Sequence, residues 1–267
     1  MSIALSEISD KRFNGLRSIY GEKGLAHLQA ARVAVIGIGG VGSWAVEALA
    51  RNAVGHISMI DLDIVSESNI NRQLPAMSST LGMDKTQVMQ QRIADINPNC
   101  QVSIVDDFVT VDNVADILGS SFDYVIDCVD SFRVKAAIIH YCKRQKVPLI
   151  TVGGAGGQID PLKIKLVDLS RTQHDQLLAK TRKLLRQDYR FARNPKRSFG
   201  MPCVYSDEQI RYADGQGGVT SLKLDSAGAA GLSCAGGLGS TMQVTASFAM
   251  VAVAHVVAQV TRGADHG

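Results

Sequence analysis

One stretch constrains the fold more than any other: VAVIGIGGVGSWAVEALARNAVGHISMIDLD, Val33 to Asp63. A β-branched run enters a glycine turn, an apolar-periodic helix follows, and a second apolar run ends at a carboxylate. The turn carries G-x-G-x-x-G at Gly37, Gly39 and Gly42, with Gly40 between them. Glycines there let backbone amides approach phosphates, and the helix behind them presents free N–H groups and the positive end of its dipole. Asp61 stands nineteen residues after Gly42, where a ribose-binding acid is expected. The stretch reads as strand, turn, helix, strand around a nucleotide.

The same alternation continues. Ser9–Ala31 is expected to be helical with a break at Tyr20–Gly21, and Arg32–Ile36 to be a buried strand. Ser43–Arg51 reads as a helix, His56–Asp61 as a strand, and Val65–Ser79 as a loop with short helical turns. Met83–Asn97 is helical up to Asn97–Pro98, where proline disfavours continuation. Gln101–Asp106 alternates as a strand, and Thr110–Asp112 leads a short helix. Tyr124–Cys128 is a strand, Ser131–Arg144 a helix and Pro148–Val152 a strand. Strands and helices of these lengths in alternation predict an α/β fold: a Rossmann-like, doubly wound, mostly parallel sheet with a C-terminal extension of the same sheet. We read residues 1–267 as one domain, with a nucleotide-binding half (1–152) and a basic, then helical, half (153–267). Gly153–Gly157, GGAGG, is too glycine-rich for a helix and marks a sharp turn or a close approach to a ligand.

Other features bound the class. Five cysteines are scattered with no C-x-x-C pair, so neither a disulfide framework nor a paired-cysteine zinc site is expected. No signal peptide is recognisable, and a reducing cytoplasm fits. From Ser226 to Thr261 there is no Asp, Glu, Lys or Arg, and residues 241–260 are long enough to span a bilayer. Thr241, Gln243, Thr245, Ser247, His255 and Gln259 interrupt that run, which favours a buried core helix over membrane association. No histidine pair has ligand spacing.

The loop after Asp61 separates redox use of a nucleotide from its consumption. It holds Asn69, Asn71, Arg72 and Gln73, and Lys85 follows in LGMDKTQV. A dehydrogenase holding one pyrophosphate has no need of this added Arg and Lys. A triphosphate needs cations on its β- and γ-phosphates and against the charge that develops as pyrophosphate leaves. A divalent metal then needs a carboxylate. VIDCVDS offers Asp127 and Asp130 at a strand's carboxyl end, where ligands of open α/β sheets bind. ATP with Mg²⁺ is therefore expected, with Asp130 as the metal ligand. A nicotinamide dehydrogenase survives only if Arg72 and Lys85 are incidental.

The order G-x-G-G-x-G-S, D-x-D, S-x-N-x-N-R-Q, G-x-x-K, I-N-P and D-C-x-D resembles the ubiquitin-activating-enzyme-like (ThiF/MoeB-type) superfamily over about Arg12 to Thr151. RFNGLRSIYGEKG, DDFVTVDNVA, TVGGAGGQIDP and CAGGLGSTMQVTASFAMVAVAHV are similar to one branch of it, the tRNA threonylcarbamoyladenosine dehydratases. That resemblance implies a ligase-type, carboxylate-activating enzyme: ATP adenylates the carboxylate of a threonylcarbamoyl group on a tRNA adenosine, which cyclises with loss of water. It implies that Gly37, Gly39, Gly40 and Gly42 line the phosphates, that Asp61 holds the ribose, and that Asn69, Arg72 and Lys85 contact phosphates. It implies magnesium on Asp130 and a homodimer in which an N-terminal arginine reaches into the partner's site. The family's R-Y-x-R is altered here to Arg12–Phe13–Asn14–Gly15, and Arg17 is the arginine assigned. A bound monovalent cation stays open.

Residues 161–200 hold eleven Lys or Arg against three carboxylates, a local net charge of +8 in a chain whose total is +3. Sulfur-carrier-activating members usually carry two C-x-x-C pairs that bind zinc, and this chain has none. A tRNA, by contrast, calls for such a field, because phosphate neutralisation supplies much of RNA affinity. Lys180, Arg182, Lys183, Arg186, Arg190, Arg193, Lys196 and Arg197 are the candidates. The alternative is adenylation of a small ubiquitin-like sulfur carrier, or a sulfur relay through Cys234 fed by a cysteine-desulfurase system. Cys234 stands before AGGLGSTM, near a helix N-terminus that would lower a thiol's pKa. The base rate of buried free cysteine favours a packing role. Cys203 is expected in a loop, Cys128 behind Asp127, and Trp44 in helix packing.

Overall fold

The computed structural model describes residues 11–119, 122–194, 196–222 and 238–262; Cys234 lies outside them. The chain begins with α1 (Asn14–Ala30), which breaks at Gly21 (φ 68°), as expected from Tyr20–Gly21. There follow β1 (Arg32–Ile36), α2 (Gly42–Arg51), β2 (His56–Ile60), α3 (Lys85–Ile96), β3 (Gln101–Val105) and α4 (Val114–Ile117). Next come β4 (Tyr124–Asp127), α5 (Phe132–Gln145) and β5 (Leu149–Val152). The segment between β2 and α3 is a loop with two short 3-10 turns, Glu67–Asn69 and Ser78–Thr80.

The seven-stranded sheet has the order β3-β2-β1-β4-β5-β7-β6, and only β6 is antiparallel. The inner strands are buried on both faces, which is why they read as unbroken apolar runs. Val33, Val35, Ile57, Met59 and Ile126 meet α2, α3 and the C-terminal helix on one face. Ala34, Ile36, Ile60 and Val125 meet α5 on the other. The register sets Ile36 beside both Ile60 and Asp127. Strands β2, β1 and β4 therefore end level, and Gly37, Asp61 and Cys128 leave the sheet at one edge. The chain winds outward in opposite directions from β1 and β4, so that edge is the topological switch point.

Beyond Val152 the structure supplies elements that periodicity did not reveal. β6 (Ile164–Asp168) runs antiparallel at the sheet edge, and α6 (Gln176–Gln187) carries part of the basic stretch. β7 (Pro202–Ser206) inserts between β5 and β6, and β8 (Tyr212–Ala213) with β9 (Val219–Thr220) forms a small hairpin. Cys203, expected in a loop, is fully buried in β7. The apolar terminus is α7 (Met242–Thr261), packed on α1 and α2. It is long and apolar enough to cross a membrane, yet half of it is buried inside the molecule, as in a core helix.

Candidate nucleotide and carboxylate-activation site

A cavity of about 520 Å³ opens at the switch point. Its floor is the glycine turn. Gly37 adopts φ 85°, and a Cβ on Gly42 would stand 1.8 Å from the Gly37 carbonyl oxygen. No other residue fits at Gly42 while α2 starts this close to the end of β1. Gly37, Gly39 and Gly40 line the cavity, and Asp61, Asn69, Arg72, Lys85 and Asp130 line it with them. Of the residues expected around a triphosphate from positions 37 to 130, all but Gly42 thus converge on one space; Gly42 is buried at the start of α2, where its missing side chain lets the helix begin this close to the turn.

Each polar side chain is held by its neighbours. Asp61 accepts from the Ile38 amide at 2.5 Å and from the Asp63 amide at 2.8 Å, tying the glycine turn to the loop after β2. Burial pushes its carboxyl above the usual range. The Asn69 carbonyl accepts from the Arg72 and Gln73 amides, and its side chain accepts from the Ser66 amide at 3.2 Å. This self-bonded turn presents Arg72, whose guanidinium donates to the Ser68 carbonyl (2.6 Å) and to Asn71 Oδ1 (3.0 Å). Lys85 is 4% exposed and pairs with Asp63 Oδ2 at 2.8 Å.

The two carboxylates of VIDCVDS divide. Asp127 is fully buried: its Oδ2 pairs with Lys135 Nζ at 2.8 Å and accepts from Thr151 Oγ1 at 2.6 Å, and its Oδ1 accepts from the Val129 amide. It cannot serve a metal, because both oxygens are spent holding the strand ends and the loop that carries Asp130. Asp130 is exposed at the cavity. Among the described residues no three His, Cys, Asp or Glu side chains could hold a metal by themselves. A single carboxylate sharing the ion with phosphates and water is the arrangement magnesium uses, so the residues present fit it.

The structure adds roles around the cavity that the sequence reading did not assign. Trp44, expected only to pack, also donates Nε1–H to the Arg72 carbonyl at 3.0 Å. Gln73 is buried in the cavity wall, and its side-chain carbonyl oxygen has no hydrogen-bond partner. Cys128, expected behind Asp127, instead lines the cavity, with its carbonyl 3.2 Å from where a Gly37 Cβ would stand. GGAGG forms part of the wall, as its composition suggested. Asp175, at the start of α6, holds that loop: it accepts from the Gly154 amide and the Leu178 amide, both at 2.8 Å. Only the fold brings Asp175 there. Ser240 and Thr245 reach the cavity from the start of α7.

Arg17 is not among the residues that line the cavity. It donates to Asn14 Oδ1 (2.6 Å) and pairs with Glu22 (2.7 Å) on the same helix. The basic candidates divide as well. Lys183, Arg190, Arg193, Lys196 and Arg197 are exposed, and Lys180 is exposed over the Phe132 ring at 5.7 Å. Arg182 is half-buried and donates to the Thr172 hydroxyl, and Arg186 stacks over Phe199 at 5.2 Å. Both are packing residues as much as surface charges. Every cysteine described has a thiol raised by burial: Cys100 to about 11, Cys128 and Cys142 to about 12, and Cys203 well above its ordinary value. None is a ready thiolate.

The ThiF family model matches residues 12–264. A curated relative, the tRNA threonylcarbamoyladenosine dehydratase of Escherichia coli K12, is 47% identical over 96% of both chains. The solved structure of the E. coli tRNA N6-threonylcarbamoyladenosine dehydratase in complex with ATP superposes with a TM-score of 0.86 at 43% identity, covering 99% of this chain and 100% of that one. A molybdopterin-synthase adenylyltransferase from Haemophilus influenzae is more distant, at 31% identity over 56% of this chain and 62% of its own. With a glycine-floored triphosphate cavity and likeness along nearly its whole length, the chain belongs to the ThiF family, in the branch of the tRNA threonylcarbamoyladenosine dehydratases.

Proposed function

We propose that this protein is an ATP-dependent tRNA threonylcarbamoyladenosine dehydratase. It adenylates the carboxylate of the threonylcarbamoyl group and lets it cyclise. One observation carries the reading: a single cavity brings together the glycine turn, Asp61, Asn69, Arg72, Lys85 and Asp130. The carboxylate oxygen attacks the α-phosphorus, the bond to the β-phosphate breaks, and pyrophosphate leaves. Arg72 and Lys85 stabilise the charge that gathers on the phosphates, and Lys85 turns from Asp63 to do so. A nitrogen or oxygen of the same substrate then attacks the acyl carbon, and AMP departs with the former carboxylate oxygen. That is the net loss of one water. Holding both reacting groups of one molecule in one cavity supplies much of this second step. Magnesium, held by Asp130 and the phosphates, would neutralise charge on the triphosphate.

A homodimer is part of the proposal. α7 presents outward an apolar flank that includes Met250, and Arg17 would enter the partner's cavity. An ATP-consuming reaction on tRNA belongs in the cytoplasm. The described thiols give a sulfur relay no support.

Mass spectrometry of nucleosides from total tRNA tests the function, using digestion mild enough to keep a labile ring closed. In a deletion strain the cyclic, dehydrated nucleoside disappears. Wild type restores it, and Arg72→Ala restores less than about 1%, as expected for a lost phosphate-charge stabiliser worth two or more orders of magnitude. An unchanged nucleoside profile in the deletion would overturn the reading.

A further inference from the structure

We propose that the edge of the sheet opposite the nucleotide cavity is a phosphate dock for the helical stem of the same RNA; this rests on the tRNA reading above. Helices α5 and α6 run side by side away from the cavity. Leu177, in the first turn of α6, lines the cavity, and Lys180 sits over Phe132 at the start of α5. At the far end Tyr189 packs on His140 with ring centroids 4.7 Å apart, and Lys143 donates to the Phe199 carbonyl. The loop after α6 therefore folds beneath the last turns of α5. This brings exposed Arg144 and Lys146 to the same pole as exposed Arg190, Arg193, Lys196 and Arg197. A groove of about 910 Å³ opens there, with Lys143 and Lys146 on its wall beside His27, His255 and Tyr124.

A second observation separates this cluster from an ordinary solvated face. Lys146 and Arg190 are both in the left-handed region, at φ 58° and 59°. Lys146 is the C-cap of α5, a position at which helices commonly place glycine to avoid the Cβ penalty. Lys146 at the end of α5 and Arg190 in the loop after α6 thus each place a long cation where glycine would be more stable, and a strained residue that does not serve stability is a candidate for function. From Phe132 to Gln145 α5 is 14 residues long, so the pole lies about 21 Å from the cavity. A polyanion engaging both ends needs phosphates at fixed separation along a stiff path. A duplex stem has them, and a flexible single strand does not. Double-stranded RNA is bound largely through backbone contacts of this kind.

The test is the double variant Lys146→Gly, Arg190→Gly in the full chain. It is compared with wild type for binding to tRNA, to a stem-loop and to the loop alone, across a salt series. The melting temperature is expected at or above wild type, because glycine takes the left-handed conformation freely. The Kd for tRNA and stem-loop rises by about 3–10-fold, and the salt dependence becomes shallower by about 1.5, near 0.7–0.9 per phosphate contact. The loop alone and ATP bind as to wild type. Unchanged tRNA affinity and salt slope would overturn the dock, and so would an equal loss with the loop alone. If wild type itself shows no salt-dependent tRNA affinity, the RNA reading falls, and the dock with it.

Discussion

Lys135 shows what one residue does when its charge is taken wholly out of water. It is fully buried, bonded to Asp127 and Thr151, and reaches no cavity surface. Removing one member of such a pair strands the other charge, so Lys135→Met should destabilise the fold by about 3–5 kcal/mol in urea titrations. A loss within error would mean that water reaches Asp127. Glu47, on α2 across the sheet, bridges Arg92 at 3.0 Å and Arg51 at 2.8 Å. Burial pushes its pKa up, but the hydrogen bonds from Arg92 and Arg51 outweigh burial and hold it below its ordinary 4.5. A carboxyl lowered in the folded state contributes stability that is fully present above its unfolded pKa. That contribution is lost as pH falls through the folded value. Glu47→Gln should therefore be less stable than wild type at neutral pH, with the gap closing below about pH 4.5. A gap that stays constant with pH would assign Glu47 a packing role instead. Asp61, Arg72 and Lys85 were legible in the sequence because their types and spacing match what a triphosphate requires. Gln73 was named in its loop but given no role, and Asp175 was not legible at all, because nothing local distinguishes a buried Asp that ties down a distant loop from one on the surface.

At the scale of elements, the glycine turn and α2 act as a unit. A methyl group on Gly42 would collide with backbone, so Gly42→Ala forces the helix off the end of β1. We expect far-UV circular dichroism close to wild type and no thermal stabilisation by ATP–Mg²⁺, whereas wild type should gain about 2.7 kcal/mol at 100 times its Kd. Retained ATP stabilisation would show that α2 can move aside. The apolar terminal helix is decided by packing. Phe248 on α7 is fully buried against the core, and Phe248→Ala should cost about 3–5 kcal/mol. A cost below about 1 kcal/mol would mean that the helix is not anchored in the core. Elements up to β5 announced themselves by alternating apolar runs. β6 and β7 did not, because β6 is an edge strand with two exposed residues and β7 is five residues set in a polar region.

For the whole molecule, the dimer makes a sharp expectation. If Arg17 completes the partner's site, then Arg17→Ala and Arg72→Ala, each inactive alone, should complement when mixed. Random exchange makes half the dimers mixed, each with one intact site, so about a quarter of wild-type activity should return. No recovery after confirmed subunit exchange would place Arg17 outside the active site. The sequence by itself determined the alternating α/β plan, the nucleotide turn and the cations that mark a triphosphate. These are local requirements, written as periodicity and as residue types at short spacing. Only the tertiary structure decided that Asp127 is sealed behind Lys135 while Asp130 faces the cavity. It alone drew Asp175 onto Gly154 across 21 residues. It alone divided one basic run between packing residues and an exposed loop far from the chemistry, and set Arg144 and Lys146 beside that loop. Those outcomes depend on which segments meet when the sheet closes, and burial, which sets the worth of a charge, exists only after they have met.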